Sequence, residues 1–305
     1  MKVSMLTFSQ TGNTLSVGKT IEKALTNKGH DVDHIRFLNR KEWRPEHADI
    51  IGVGCPCFES RPAEIVPDFL KNSDFDFIGK KAFVYITSSS SPAKSLWRLA
   101  QAVAHTGATV IGGVQVTGVS TAPTMFGLTP NRPNRQDYDY VETFGFALSD
   151  HIIDDIELPE DYKIDPKKGS KFYDRFGIIA NHVKKKMINP PTVDHEKCNL
   201  CGNCVYECPL DNITVKNKAI QVSHNCIVCW RCWHVCPNNA LSMKLTPALN
   251  GLIEHFFWSE RFERFFGELK PGEYRGPNLY RDVFAGKIRL KYDRKNPTAD
   301  YEYVK

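Results

Sequence analysis

Two stretches of this chain repeat one arrangement of thiols: CNLCGNCVYECP at 198–209 and CIVCWRCWHVCP at 226–237. Each spaces its cysteines as C-x2-C-x2-C-x3-C and follows the last with proline, Pro209 and Pro237, which stops the local helical turn. Soft thiolates at this spacing are the ligand set of a 4Fe-4S cluster. The competing chemistry is a structural zinc site, which takes four ligands as C-x2-C…C-x2-C. Two full runs of four, each closed by proline, do not have that form. Eight of the ten cysteines lie in these runs, so they read as ligands in a reducing compartment, not as disulfides. His195 and His224 precede the runs, but sulfur already fills each ligand position, which leaves them at the surface or behind the ligands.

A second chemical signal lies near the start. FSQTGNT, Phe8 to Thr14, turns out of an apolar strand and into a helix. A hydroxyl-rich loop there offers the first-turn N–H groups, the positive end of the helix dipole and donors from Ser9, Thr11, Asn13 and Thr14. Such a loop can hold a phosphate without Lys or Arg. It is neither G-x-x-x-x-G-K-S/T nor G-x-G-x-x-G, so triphosphate and dinucleotide chemistry have no support. A helix cap that binds nothing is the alternative.

The elements that must position these groups follow from hydrophobic periodicity. KVSMLTFS, DVDHIRFL, ADIIGVGC, KAFVYITS and TVIGGVQVTGV read as five strands. NTLSVGKTIEKALTNKG, PAEIVPDFLKN, SLWRLAQAVAHTG and RQDYDYVETFGFALSDHIID read as the helices between and after them. Apolar strands alternating with helices predict an α/β fold, a doubly wound parallel five-stranded sheet with ligands beyond the carboxyl ends of its strands.

With that strand order and loop placement, FSQTGNT resembles the FMN phosphate loop of flavodoxins over about the first 155 residues. The cysteine runs resemble two-cluster bacterial ferredoxins, and the whole chain resembles the family of fused flavodoxin and ferredoxin proteins. The resemblance implies FMN, with its phosphate on Ser9, Gln10, Thr11, Gly12, Asn13 and Thr14. It places the ring between GCPCFESRP (54–62), through Pro56, Cys57 and Phe58, and TSSSSPAK (87–94), through Ser88, Ser89, Ser90 and Ser91. These loops depart from the aromatic or acidic residues that flavodoxins usually set against the ring. The exchange of fourth cysteines in such ferredoxins implies one cluster on Cys198, Cys201, Cys204 and Cys236 and another on Cys226, Cys229, Cys232 and Cys208. Cys55 and Cys57 are read as small residues ending a buried strand, against the alternative of a redox-active thiol beside the flavin. Trp230 stands where the first run has Gly202, with Trp233 close by. A water shield over the cluster, a docking spot and plain packing are its three readings.

The resulting expectation is a flavodoxin-like domain at 1–155, a linker and connecting helix at 156–192, a small α+β ferredoxin domain at 193–245 and a C-terminal extension at 246–305. In the connecting helix Phe172, Phe176, Ile179, Val183 and Met187 share one face, expected to pack. The extension carries an aromatic amphipathic helix at 252–269, which could pair two copies of the chain, and then a tail of little regular pattern. Neither a leader nor a long apolar run is present, so a cytoplasmic protein without a membrane span is expected. A net charge of +5 suits an acidic ferredoxin or flavodoxin as redox partner, and no nucleic-acid motif accompanies it. Two functions stand: an electron-transfer protein linking FMN, two 4Fe-4S clusters and a partner protein, or an FMN-dependent reductase fed by the clusters. The reductase would need a pocket, for which segment 120–138 offers Met125, Phe126 and Arg132.

Overall fold

The computed structural model of the chain describes residues 1–89, 92–119, 132–242, 288–290 and 301–303, with backbone only at some positions of the connecting helix and the last two segments. It divides into two compact units, the first ending at Ile179 and the second running on from Ala180.

The first unit is built from β1 (Lys2–Thr7), α1 (Asn13–Asn27), β2 (Asp31–Arg36), β3 (Ile50–Phe58), β4 (Arg61–Pro62), α2 (Ile65–Lys71), β5 (Lys81–Ser88), α3 (Ser95–Ala104), β6 (Thr109–Thr117), α4 (Arg135–Asp154) and the start of α5 (Lys171–Met187). Strand order is β2-β1-β3-β5-β6, all parallel, with β4 added antiparallel to β3. This is the flavodoxin-like order, and its switch point lies between β1 and β3. Ile50, Ile51 and Val53 of β3 and Phe83 to Ile86 of β5 are fully buried, as strands covered on both faces must be. Ile21 and Leu25 of α1 meet Phe144 and Leu148 of α4 in one core cluster with Met5, Phe83 and Tyr85. A separate aromatic cluster joins Trp43 to Phe69, Phe75 and Phe77, and the Trp43 indole donates to Ser4 Oγ at 2.8 Å.

Three features depart from the expected elements. GCPCFESRP is not an open loop: β3 runs on through Phe58, and a two-residue turn at Glu59 (φ 49) and Ser60 (φ 61) folds β4 back on it. Such turns normally announce themselves with Asn or Gly. The first unit also continues past residue 155, because Leu158 and Tyr162 fill its core beside Phe144, and the Tyr162 hydroxyl donates to Tyr140 O at 3.1 Å. Finally, α5 does not bury its apolar stripe in the described part. Phe172 and Ile179 are 71% and 62% exposed, whereas Asp174 is 6% exposed. Gly177 is buried on the same side as Asp174, so near the hairpin that an added Cβ would lie 2.1 Å from Glu59 O. The side chains of Phe176, Val183 and Met187 lie outside the described set.

The second unit holds β7 (Thr192–Val193), α6 (Asn203–Tyr206), β8 (Ile213–Lys216), β9 (Ala219–Val222), α7 (Arg231–His234) and β10 (Leu241–Ser242). β7 pairs with β10 and β8 with β9, both antiparallel. Cys204, Ile213, Ile220, Cys232 and Leu241 form its small core. The two cysteine runs adopt one backbone twice: Leu200 and Val228, Gly202 and Trp230, and Asp211 and Asn239 are matched pairs of positive φ. In the tail β11 (Ile288–Leu290) and β12 (Tyr301–Tyr303) pair antiparallel, in a stretch expected to lack pattern. The helix expected at 252–269 and the homodimer expected through it lie outside the described residues. Among the described residues no helix is long and apolar enough to cross a membrane.

Candidate functional site

The loop between β1 and α1 lies at the switch point of the sheet. Gly12 (φ 111) precedes α1 and supplies no side-chain cap, and the first turn contains no acidic residue. The contrast with α4 is direct. There Asn134 accepts from the Asp137 N–H and Asp137 accepts from the Asn134 N–H, closing a capping box. Helix α1 therefore keeps first-turn N–H groups available to an anion. Gln10, Thr11, Asn13 and Thr14 are buried around them. Ser9 Oγ accepts from the Gly12 N–H at 3.1 Å, Asn13 Nδ2 donates to Val119 O at 3.4 Å, and Thr14 Oγ1 lies 2.7 Å from Thr87 Oγ1. A cradle of neutral donors at an uncapped helix end suits a phosphate.

Behind this loop runs a chain of polar groups that the sequence alone did not reveal. The hydroxyl of Thr7 lies 2.6 Å from His34 Nε2 and also meets the Tyr85 hydroxyl, and His34 Nδ1 lies 2.6 Å from Glu22 Oε2. The hydrogen bond to His34 holds the Glu22 carboxyl below its ordinary value, and burial pushes the Tyr85 phenol upward. A tyrosine in the middle of an otherwise apolar strand was the visible signal, since a buried phenol needs a partner.

The expected ring contacts fall on two neighbouring strand ends. Pro56 is buried and pairs in register with Thr87, and its carbonyl accepts from Ala63 N at 2.9 Å. Cys57 Sγ lies 3.1 Å from Ser95 Oγ. Phe58 stands edge-on to Phe8, ring centres 6.3 Å apart. Cys55 is buried within β3, paired with Ile86, and desolvation raises its thiol pKa far above the ordinary value. Ser88 closes β5, its carbonyl accepting from Gly118 N at 2.9 Å, and Ser89 follows half-buried. Ser90 and Ser91 lie outside the described residues, as do Met125 and Phe126. Arg132 Nη2 donates to Asp137 Oδ1 at 2.5 Å, so this guanidinium is tied to the start of α4.

The hairpin that carries Cys57 and Phe58 is braced by a network that sequence reasoning missed. Asp174 of α5 accepts from Arg98 Nε and Nη2, each at 2.5 Å, and lies 3.4 Å from Arg61 Nη1 of β4. The Arg98 hydrogen bond holds the Asp174 carboxyl below the usual carboxylate range.

In the second unit the cysteines gather as two groups. Cys198, Cys201, Cys204 and Cys236 line one pocket, together with Val193, Ile220 and Leu241. Burial, then the neighbouring Cys236, Cys201 and Cys198, raises the Cys204 thiol to about 11. Cys229 is raised to about 12 by burial, with Cys226 and Cys208 adding to the shift. Cys232 is raised well above the ordinary thiol value by burial and then by Cys229, Cys226, Cys208 and Cys204. Thiols that repel one another's ionised forms in a buried place need cationic metal to become thiolates. Among the described residues no three such side chains converge tightly enough for a single ion. Four thiols around one pocket match the ligand number of a 4Fe-4S cluster.

Backbone donors surround these sulfurs. The N–H groups of Asn212, Val228 and Ala240 point to Cys208, Cys226 and Cys236 Sγ at 3.3, 3.3 and 3.2 Å. Trp230 is buried against Val228 and Ile188, with Cys226 at the edge of the cluster.

Comparison with known proteins agrees with both halves. The family described as 4Fe-4S binding domain matches residues 191–214. A flavodoxin of Megasphaera elsdenii is 30% identical over 112 residues, 36% of this chain and 82% of the relative. A ferredoxin of Methanothermococcus thermolithotrophicus is 32% identical over 57 residues, 17% of this chain and 95% of the relative. Among solved structures, a flavodoxin from the domain Archaea covers 50% of this chain and 99% of its own at 18% identity and TM-score 0.41. The protein is a flavin and iron–sulfur electron-transfer protein by class. Its first part belongs to the flavodoxins and its cysteine-rich part to the ferredoxins, so the chain is a fused flavodoxin-like and ferredoxin protein.

Proposed function

We propose that the chain passes electrons between one FMN and two 4Fe-4S clusters and exchanges them with a redox partner protein. One observation supports this reading: Cys236 of the second run joins Cys198, Cys201 and Cys204 of the first around a single pocket, as the interleaving of two such runs requires. Cys198, Cys201, Cys204 and Cys236 would hold one cluster, and Cys208, Cys226, Cys229 and Cys232 the other. Ser9 to Thr14 would bind the FMN phosphate through first-turn N–H groups and hydroxyls, and Pro56 to Phe58 with Ser88 to Ser91 would border the ring. FMN supplies exchange of electrons singly or in pairs, whereas a cluster moves one at a time, so the pair suits conversion between the two modes.

The chain's own residues prepare that transfer. The N–H donors at Cys208, Cys226 and Cys236 stabilise sulfur charge, and the Asp174 network fixes the hairpin that carries Cys57 and Phe58. The cofactor-bearing parts would lie within 1–155 and 193–245, and Leu158, Tyr162 and Asp174 support the first from beyond its limit.

Anaerobically purified protein tests the reading by its content: about eight iron atoms, as two clusters require, and one FMN. Zinc in place of iron, four iron atoms only, or FAD would overturn it.

A further inference from the structure

Asn203 and Arg231 hold the same place in the two cysteine runs, one residue before the third cysteine. Each reaches to the residue before the fourth cysteine of the opposite run. Asn203 Nδ2 donates to Val235 O at 3.4 Å. Arg231 Nε and Nη2 donate to Glu207 Oε2 at 2.8 and 2.6 Å. One contact is a long amide bond, and its counterpart is an ion pair whose residues are 2% and 0% exposed.

A buried ion pair is a poor stabiliser, because desolvating both charges costs about as much as their attraction returns. Its position gives it another use. Glu207 adjoins Cys208 and Arg231 adjoins Cys232, so the pair ties the single cysteine from the first run to the three from the second. Arg231 also stands between Cys229 and Cys232, two of the three ligands that the second run gives this group. In the other group the corresponding residue is the neutral Asn203, and water takes over the role: Leu200 is 40% exposed and Cys201 is exposed, against 3% for Val228 and 8% for Cys229.

We infer that Arg231, clamped by Glu207, is a positioning residue for the cluster on Cys208, Cys226, Cys229 and Cys232, and that its buried charge raises that cluster's potential while leaving the other cluster's unchanged. The inference rests on the two-cluster reading. Reduction adds one electron and its negative charge without making or breaking a bond. A fixed cation in a dry site favours that form more strongly than one in water. The Glu207 carboxylate acts in the opposite sense.

The test is a redox titration of anaerobically purified full-length protein, using a low-potential chemical reductant and following each cluster by electron paramagnetic resonance. Arg231→Gln should displace the equilibrium of one cluster about tenfold toward the oxidised form, about 59 mV for one electron, and Glu207→Gln should displace the same cluster the other way. Arg231→Lys, which keeps the charge, should return the potential toward that of the wild type. If an unpaired charge disrupts folding, the apolar pair Arg231→Met with Glu207→Leu keeps the volume, and the same single cluster should shift downward or be lost alone. Equal shifts in both clusters, loss of both together, or no shift with full iron would overturn the inference. Wild-type iron content is measured first, so failure of the two-cluster reading is seen before any variant is titrated.

Discussion

Trp230 occupies in the second cysteine run the left-handed backbone position that Gly202 occupies in the first, at φ 62 against φ 74. A bulky L-residue is strained there. Its burial at 4% exposure, against Val228 and Ile188, offsets the strain and closes water out beside Cys226.

Trp230→Gly should therefore act in two directions at once. Relief of the left-handed conformation returns about 1–2 kcal/mol, while removal of a buried indole costs about 3–5 kcal/mol, for a net loss of about 1–4 kcal/mol. Admitting water should raise the potential of the neighbouring cluster, because solvent is one of the levers on it. Paramagnetic resonance titration alongside chemical denaturation measures both. An unchanged potential with the expected loss of stability would leave Trp230 as packing alone.

Thr11 and Thr14 are 2% and 1% exposed in the loop before and at the start of α1. Changing both to leucine should empty the flavin site, because apolar side chains would fill the donor cradle and break the Thr14 bond to Thr87. The cysteine runs belong to the other compact unit, so iron content should hold. Flavin absorbance and iron assay on the same preparation decide the matter. Retained FMN would place the phosphate elsewhere.

Much of this was legible in the sequence, and the gaps have physical causes. The runs at 81–88 and 135–154 give β5 and α4 at their expected limits, since a doubly buried strand and a long amphipathic helix leave strong periodic signals. The sharing of cysteines between the two runs is implied by the resemblance to two-cluster ferredoxins, because spacing alone does not say which four thiols meet. The β3–β4 hairpin stayed hidden because Glu59 and Ser60 hold a turn without Asn or Gly. For α5, periodicity told which residues share a face but not which face is covered. Asp174, far in sequence from Arg61 and Arg98, decided that.

The Asp174 network gives an acid-dependent prediction. Its carboxyl sits below the ordinary 3.8 in the folded chain, mainly through the Arg98 hydrogen bond. A depressed folded value contributes stability in full above the unfolded pKa, and that contribution is lost as pH falls from about 4 through the lower folded value. Asp174→Asn should cost about 3 kcal/mol near neutral pH, as loss of one partner of a buried pair does. It should also flatten this part of the acid slope and weaken FMN binding by loosening the hairpin. Flavin release followed from pH 6 to pH 2.5 in both proteins checks it, and parallel curves would remove Asp174 from the acid response.

Partner exchange should depend on salt. The chain carries a net charge of +5, and Lys184, Lys185 and Lys186 add a local basic run. Docking to an acidic carrier would be screened beyond about 10 Å at 0.1 M ionic strength. Stopped-flow exchange with an acidic ferredoxin should slow as salt rises, and neutralising the three lysines together should lower the rate at low salt and reduce the salt slope. A rate indifferent to both would remove this run from the dock. It would turn attention to a small molecule meeting FMN, for which the residues around Arg132 would be the first to change.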